Sequence, residues 1–368
     1  MSVLELARPE IRAMQPYSSA RMEASGGRVF LNANESAWAP PGDGELACNR
    51  YPDPQPAALV EALARLYGVR PSQILVGRGS DEVIDLLVRA FCRAGEDAIA
   101  IQPPTFGMYA VSAQIQNAAI VTVPLKADFT LDVETVLAAI TPAVKLVFVC
   151  TPNNPTGQLV PLGEVTRLAQ ALTDRAVLVV DEAYIEFSDA PSATSLVNQF
   201  DNLAVLRTLS KAWALAGARI GSLIASEDII GLLRRVIAPY PLPRPCVALA
   251  MQALSEQGQS TARAHIAIVR EQRERMYHAL ADMAGVRSVI PSQTNFLAVR
   301  HDDAASVYQR LLDAGILVRD IRRYPQLGDA LRITIGLPEE NDRVLDVLQS
   351  LSQDGRSGID GTAAGQRA

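Results

Sequence analysis

The sequence contains few of the side chains that most often act as bases or metal ligands, with 3 histidines and 4 cysteines among its 368 residues. The histidines, at positions 265, 278 and 301, do not have metal-binding spacing. The cysteines, at positions 48, 92, 150 and 246, form neither a zinc ribbon nor a CxxC pair. An enzyme of this composition is therefore expected to use other groups for its chemistry. Dispersed cysteines are typical of buried thiols in a reducing compartment, so the expected location is the cytoplasm.

The chain also lacks a surplus of positive charge and a long apolar run. Its 34 Lys and Arg residues against 40 Asp and Glu residues give a net charge of −6, which argues against a nucleic-acid partner. No segment approaches the roughly 18 apolar residues that cross a bilayer, and residues 1–30 have no apolar core of a secretory signal. With 49% hydrophobic residues, the chain is expected to bury a large core, and its length of 368 residues predicts roughly two domains.

Short apolar segments alternate with helical patterns from residue 73 to residue 181. Strands are expected at residues 73–77, 97–101, 119–123, 145–150 and 176–181, and helices at 80–94, 105–116, 131–140 and 162–172. Strands that are apolar throughout are typical of a parallel sheet covered on both faces. The alternation therefore predicts an α/β domain.

The C-terminal third has a different pattern. A long helix is expected at 261–283, followed by strands at 286–290, 295–299, 316–319 and 331–335 and helices at 304–314 and 338–351. These shorter units indicate a smaller α+β domain. Residues 353–368 contain four glycines and little apolar content, and are expected to form a disordered tail.

Two short loops could hold a ligand, although each has a plainer interpretation when taken alone. Residues 77–82 join a strand to a helix, and glycines followed by Ser80 and Asp81 expose backbone N–H groups that suit a phosphate. An ordinary capped turn has the same pattern. Residues 153–157, which include Asn154, follow an apolar strand, where α/β sheets bind ligands, but a polar turn is the commoner reason for such a loop.

Two further motifs hold an acid and a lysine. Asp181 ends an apolar strand, where a carboxylate is costly unless it meets a cation or a donor, although it could also cap a helix. Lys211 follows Ser210 in an otherwise apolar stretch, and a desolvated lysine is a usable nucleophile, whereas a lone lysine is by default solvated. With Arg219, these motifs form the set that pyridoxal phosphate chemistry requires: a Schiff-base lysine, an acid for the pyridinium nitrogen and a phosphate cradle.

The motifs resemble those of the fold type I pyridoxal-phosphate aminotransferases and, more narrowly, of the histidinol-phosphate aminotransferase family. The resemblance covers residues 16–351 and is carried by residues 16–21, 31–35, 50–52, 77–82, 103–109, 153–157, 181–184, 207–212, 315–320 and 331–336. It implies an α/β fold with a large domain at residues 48–284, built on a mostly parallel seven-stranded sheet in an α/β/α sandwich. The smaller α+β domain would combine residues 1–47 and 285–352.

The resemblance also implies a pyridoxal 5′-phosphate cofactor and a role for each residue around it. Lys211 would bind the cofactor as a Schiff base and then move the proton. Asp181 would keep the pyridine nitrogen protonated, and Tyr109 would stack on the ring. Asn154 and Tyr184 would hydrogen-bond the 3′-oxygen of the ring. The phosphate would be held by Ser80, Asp81, Ser210 and Arg219.

For the substrates, the resemblance implies transamination between L-histidinol phosphate and 2-oxoglutarate in histidine biosynthesis. Arg332 and Arg319 would bind the carboxylate of one substrate and the phosphate of the other, and Tyr17 and Asn34 would line the site. Tyr51 would reach the cofactor phosphate of a neighbouring subunit, which implies a homodimer.

Several alternatives stay open at this point. An aromatic amino acid aminotransferase or a threonine-phosphate decarboxylase of the same fold would share Lys211 and differ only on the substrate side. A cofactor-binding regulatory module without turnover would usually carry a DNA-binding domain, for which the net charge of −6 gives little support. For single residues, Arg319 could form a structural ion pair with Asp320 or a neighbour, and Tyr17 could simply pack the N-terminal arm.

Overall fold

The computed structural model describes residues 2–17 and 29–357, with residues 351–357 described by their backbone. Within these residues a seven-stranded sheet has the order β1-β7-β6-β5-β4-β2-β3. Its strands are β1 (Ile74–Arg78), β2 (Ala98–Ile101), β3 (Ala119–Thr122), β4 (Val144–Cys150), β5 (Val177–Asp181), β6 (Leu203–Thr208) and β7 (Ile220–Ala225). Strand β7 is antiparallel to β1 and β6, and the remaining pairs are parallel. The prediction of a mostly parallel seven-stranded sheet is confirmed.

Helices cover both faces of this sheet, which explains why its central strands are apolar throughout. They are α2 (Ala57–Tyr67), α3 (Gly79–Phe91), α4 (Met108–Ile115), α5 (Val133–Ala139), α6 (Leu162–Ala171), α7 (Glu227–Leu233) and α8 (Arg244–Ala253), after a short α1 (Pro9–Ala13). Successive strand residues point to opposite faces. Val147 therefore packs in one core with α2, α5 and α6, while Phe148 packs in the other with α3, α4 and α7.

The first residues of the chain pack on the large sheet, in contrast to the prediction that residues 1–47 belong to the smaller domain. Val3, Leu6 and Ala7 are buried in the same core as helices α3 and α7. The Arg8 backbone N–H donates to the carbonyl of Ala90 at 3.0 Å. The domain assignment is therefore corrected for these residues. Apolar side chains pack wherever the fold offers an apolar surface, and the sequence of this short segment does not show which domain offers it.

A second sheet has the order β10-β11-β9-β8, and all its pairs are antiparallel. It consists of β8 (Val286–Ile290), β9 (Phe296–His301), β10 (Arg319–Asp320) and β11 (Ala330–Thr334), with helices α9 (Glu256–Ala281), α10 (Ala304–Asp313) and α11 (Pro338–Ser357). Strand β10 was expected at 316–319, but its pairing with β11 begins only at Arg319 opposite Arg332. The predicted domain boundary after residue 284 falls between α9 and β8 and stays a prediction.

The backbone of α11 continues to Ser357, five residues into the segment for which disorder was expected. The rest of that segment, residues 358–368, lies outside the described residues, as do residues 18–28, which include part of the motif at 16–21. Among the helices that the structure describes, none is both long and apolar enough to cross a membrane.

Candidate active site

The candidate site is a pocket at the carboxyl ends of the parallel strands of the large sheet, where α/β sheets usually bind ligands. It collects side chains from five segments that are distant in sequence. Its lining consists of Ser80, Asp81, Phe106, Cys150, Asn154, Asp181, Ala183, Tyr184, Thr208, Ser210, Lys211, Ala216 and Arg219. Of the residues expected around the cofactor within one chain, all except Tyr109 line this pocket.

Lys211 enters the pocket from the loop that follows β6. The start of this loop is fixed by Thr208, whose hydroxyl donates to the Ser210 hydroxyl at 2.9 Å and accepts from the Ser210 N–H at 3.1 Å. The Lys211 Nζ lies 5.6 Å from the centre of the Tyr184 ring. Partial burial and the positive charges of Arg332 and Arg219 lower the pKa of the Lys211 ammonium, so the neutral amine forms more readily than in water.

Asp181 is the last residue of β5 and is 2% exposed. Its Oδ2 accepts a hydrogen bond from the Tyr109 hydroxyl at 2.7 Å, and its Oδ1 accepts one from the Ala183 N–H at 3.1 Å. Burial raises the pKa of Asp181 to about 6, and these two hydrogen bonds act in the opposite direction. The carboxylate is thus ionised at neutral pH but held in surroundings that favour a cationic partner.

The N-terminus of α3 and the start of β7 form a candidate anion-binding corner of the pocket. Gly221 allows the two backbones to meet, because a Cβ at this position would lie 2.3 Å from the backbone nitrogen of Ser80. Arg219 has a positive φ of 55°, which brings its guanidinium over Gly79 and to 2.8 Å from Asp81 Oδ2. Free N–H groups at a helix N-terminus, two hydroxyls and a guanidinium are the donors that bind phosphate groups.

Asn154 connects two parts of the site. Its Nδ2 donates to the Tyr184 hydroxyl at 3.2 Å, and its Oδ1 accepts a hydrogen bond from Arg332 Nη1. Arg332 is half-buried and lies 5.0 Å over the Phe296 ring. Burial lowers the pKa of its guanidinium, but an arginine remains charged at any physiological pH. A cation is thereby placed next to the Asn154 amide, which lines the pocket, while the substrate role of Arg332 stays a prediction.

Tyr109 is not where the resemblance predicted it, so the expected stacking of this ring on the cofactor is corrected. The ring is fully buried and stacks on Phe148 with a centroid distance of 4.7 Å. Its hydroxyl donates to Asp181 Oδ2 without lining the pocket. Of Phe106 and Tyr109, it is Phe106 that lines the pocket, together with Tyr184 from the loop after β5. Helix α4 begins at Met108, so Phe106 lies in the loop at the strand edge, whereas Tyr109 faces the sheet from the first turn. The loop position at the end of a parallel strand is the signal that could have identified Phe106.

The other substrate-side residues are distributed between two places. Arg319 is exposed and lies opposite Arg332 in the β10–β11 pair. The alternative ion pair of Arg319 with Asp320 is not formed, since the Asp320 carboxylate pairs with Arg322 at 2.7 Å.

Tyr51 and Asn34 lie in a second cavity, which does not include Lys211 and which is bordered by residues 34–35, 48–52 and 243–245. The Tyr51 ring stacks on Tyr240 with a centroid distance of 4.5 Å, and Tyr17 is 68% exposed. Within one chain, these three residues therefore do not join the Lys211 pocket.

Comparisons with known proteins agree with this geometry. Residues 45–348 match the model of the family described as aminotransferase class I and II. The chain is 56% identical over 352 residues to histidinol-phosphate aminotransferase of Xanthomonas euvesicatoria pv. vesicatoria, covering 95% of this chain and 97% of the relative. It is 54% identical over 355 residues to the enzyme of the same name from Stenotrophomonas maltophilia, with the same coverage.

A solved structure with a similar fold also has the name of these relatives. The fold is similar to the crystal structure of histidinol-phosphate aminotransferase from Sinorhizobium meliloti in complex with pyridoxal-5′-phosphate, at 30% identity and a TM-score of 0.76, over 88% of this chain and 90% of the other. Since the family model spans most of the chain and the relatives are more than half identical along almost its whole length, the chain belongs to the histidinol-phosphate aminotransferase family of the class I and II aminotransferases.

Proposed function

We propose that this chain binds pyridoxal 5′-phosphate and transfers the amino group of L-histidinol phosphate to 2-oxoglutarate, giving imidazole-acetol phosphate and L-glutamate in histidine biosynthesis. The observation that carries the proposal is the common pocket of Lys211, Asp181 and the anion-binding corner beside Arg219. The family membership and the names of the relatives point to the same reaction.

The residues of the pocket fit the cofactor at each of its functional groups. Asp181 is a buried carboxylate that would accept a hydrogen bond from the protonated nitrogen of a pyridine ring. The corner formed by the start of α3 is too narrow for a Cβ at Gly221, and its N–H groups, Ser80, Ser210 and Arg219 would hold the phosphate. Asn154 and Tyr184 would contact the ring 3′-oxygen.

The chemistry is divided between the cofactor and two side chains. When bound, pyridoxal phosphate supplies an electron sink for the electron pair released at the substrate α-carbon. Lys211, whose pKa is lowered, offers a neutral amine that can attack a carbonyl and then accept and return a proton. Asp181, ionised above a pH of about 6, holds a proton on the ring nitrogen.

Substrate binding would use the positive charge of Arg332, which contacts Asn154 of the pocket. Arg332 already donates to Asn154, so an anionic substrate group bound to Arg332 would also be aligned with the ring. Arg319, opposite it in the β-ladder, adds a second guanidinium for the substrate phosphate or carboxylate.

We extend the proposal to a homodimer in the cytoplasm. Tyr51 and Asn34 share a cavity separate from Lys211, as expected of residues that complete the site of a neighbouring subunit. With Tyr17 they would border the substrate there. All four cysteines are free thiols, which agrees with a reducing compartment.

A substrate assay tests the reaction. The purified protein, loaded with pyridoxal phosphate, is supplied with L-histidinol phosphate and 2-oxoglutarate, and glutamate is measured. We expect kcat/KM to be at least about 100-fold higher than with phenylalanine as the donor, because a site that binds a phosphate loses that binding energy with an uncharged side chain. A preference for phenylalanine, or release of CO2 from threonine phosphate, would overturn the substrate assignment.

A chemical label tests the role of Lys211 without relying on turnover. The chain has three lysines, Lys126, Lys145 and Lys211. Borohydride reduction of the loaded protein should fix the cofactor to Lys211, identified by peptide mass spectrometry. Lys211→Ala should abolish both the label and the visible absorbance, whereas Lys126→Ala and Lys145→Ala should keep them. A label on either other lysine would show that the nucleophile is misassigned.

A further inference from the structure

Tyr109 has a defined position that its expected stacking role does not explain. Its side chain is fully buried, yet its hydroxyl reaches the carboxylate that faces the pocket, donating to Asp181 Oδ2 at 2.7 Å. We propose that Tyr109 is a positioning residue: by this hydrogen bond it holds Asp181 in orientation, weakens the basicity of the carboxylate and so keeps the shared proton on the cofactor ring nitrogen. The inference rests on the proposed binding of pyridoxal phosphate.

The ring of Tyr109 is fixed from two sides, so its hydroxyl has little freedom to leave Asp181. Phe148 on strand β4 stacks on it with a centroid distance of 4.7 Å and an interplanar angle of 14°. Phe106 meets it edge-on at 5.6 Å. Because aromatic side chains have only two rotatable bonds, this packing determines where the hydroxyl lies. Phe106 also lines the pocket, so this one side chain contacts both the pocket and the ring of Tyr109, the residue that donates to Asp181.

The surroundings of the hydroxyl keep it a donor. Burial and the negative charge of Asp181 raise the pKa of Tyr109 well above that of a free phenol, so the hydroxyl stays protonated throughout the working pH range. An ionised carboxylate can only accept hydrogen bonds. The direction of the bond is therefore fixed, from the Tyr109 oxygen to Asp181.

The effect on Asp181 follows from the competition between burial and hydrogen bonding. Burial raises the pKa of this carboxyl, and the hydrogen bond from Tyr109 is the largest influence in the opposite direction. The other charged or titratable groups that face Asp181 come from α3, the end of β4, the loop after β5 and the loop after β6: Asp81, Cys150, Tyr184 and Lys211. Without the Tyr109 donor, the carboxylate becomes more basic and draws the proton away from the ring nitrogen.

The test uses the protein loaded with pyridoxal phosphate that carries ¹⁵N in the ring. The ¹⁵N chemical shift reports directly whether the nitrogen is protonated. In Tyr109→Phe we expect the shift to move toward the neutral pyridine value, and kcat to fall about 10- to 100-fold, as for loss of a hydrogen bond to a charged group. The KM for histidinol phosphate should change much less than kcat, because Tyr109 does not line the pocket.

Two further variants separate this role from a packing effect. Tyr67→Phe removes the hydroxyl of another buried tyrosine, 8% exposed, and should leave the ¹⁵N shift unchanged. Phe148→Leu keeps the Tyr109 hydroxyl but frees its ring, and should move the shift in the same direction by a smaller amount. This variant also carries the test if Tyr109→Phe does not fold.

The outcomes distinguish the inference from the proposed function. If the unmodified protein gives no bound-cofactor signal, the proposed function fails. If it binds the cofactor with a protonated nitrogen and Tyr109→Phe gives the same shift and the same kcat, the role of Tyr109 is overturned. An equal shift change in Tyr67→Phe would also contradict the inference.

Discussion

Asp181 and Glu182 are neighbours at the end of β5, and their side chains are almost equally buried, at 2% and 1% exposure. Their surroundings are opposite in kind. Glu182 accepts hydrogen bonds from the Ser192 hydroxyl and from the Ala193 N–H at 2.7 Å, and lies 3.5 Å from the guanidinium of Arg207. The chain itself supplies a positive charge to this carboxylate.

Asp181 receives its hydrogen bonds from the Tyr109 hydroxyl and the Ala183 N–H, and neither donor carries a charge. The difference arises because successive residues point to opposite sides of the strand, so that one carboxylate faces the protein interior and the other the pocket. Burial of an ion is tolerable only with a compensating partner. A carboxylate balanced by the chain can stay buried as an ion without a ligand, and one whose partners are neutral is suited to bind a cationic ligand.

The largest expected effect concerns Glu182, the carboxylate whose charge is balanced by Arg207. Arg207→Met should lower the free energy of unfolding by about 3–5 kcal/mol, because it leaves the buried Glu182 and the partly buried Glu186 without their shared cation. Urea unfolding of the purified protein at pH 7.5 measures this change. A loss below about 1 kcal/mol would mean that the Arg207 charge is not what makes the burial of Glu182 tolerable.

Neutralising each of the two carboxylates should also change kcat by different amounts. Asp181→Asn should lower kcat for the proposed reaction by about 10²- to 10³-fold, because a neutral amide cannot stabilise a charged ring nitrogen. Glu182→Gln should lower it less than about 10-fold, since Gln can keep most of the hydrogen bonds from Ser192 and Ala193. Steady-state assays at saturating cofactor make the comparison, and similar losses in both variants would erase the functional distinction.

The pH dependence of stability gives a third test, on the cofactor-free protein. The pKa of Asp181 is about 6 in the fold and near 3.8 in the unfolded chain, so the folded state holds its proton more tightly. Its contribution to stability is therefore present below a pH of about 4 and is lost as the pH rises to about 6. Two pKa units correspond to about 3 kcal/mol. Relative to Asp181→Asn, the unmodified protein should lose about this much unfolding free energy between pH 4 and pH 7, and a constant difference would contradict the assignment.

Sequence reasoning located the parts of this molecule that depend on local pattern. Continuous apolar runs predicted β4 and β5. The polar residues at or shortly after the ends of these runs, Asp181 and Asn154, do line the pocket. This works because the carboxyl ends of parallel strands share one edge of the sheet. The loop holding Lys211 follows the same rule.

What sequence reasoning missed depends on long-range packing. Phe106 and Tyr109 are aromatic residues three positions apart, and only the start of α4 at Met108 decides which one faces the pocket. The contact between Arg332 and Asn154 joins residues 178 positions apart. Equally, no local pattern shows that Arg207 balances Glu182, because that pairing exists only once β5 and β6 lie side by side.

The smallest expected effect tests whether burial, and not ion pairing alone, makes the loss of the cation paired with Glu182 costly to stability. Arg70 and Glu227 form an ion pair at 3.1 Å with side chains that are 62% and 56% exposed. Arg70→Met makes the same chemical change as Arg207→Met but leaves Glu227 in water, so the free energy of unfolding should fall by less than about 1 kcal/mol. The same urea series at pH 7.5 measures both variants. If Arg70→Met costs as much as Arg207→Met, then any lost ion pair destabilises this chain equally, and the contrast between a carboxylate balanced by the fold and one that faces a ligand loses its physical basis.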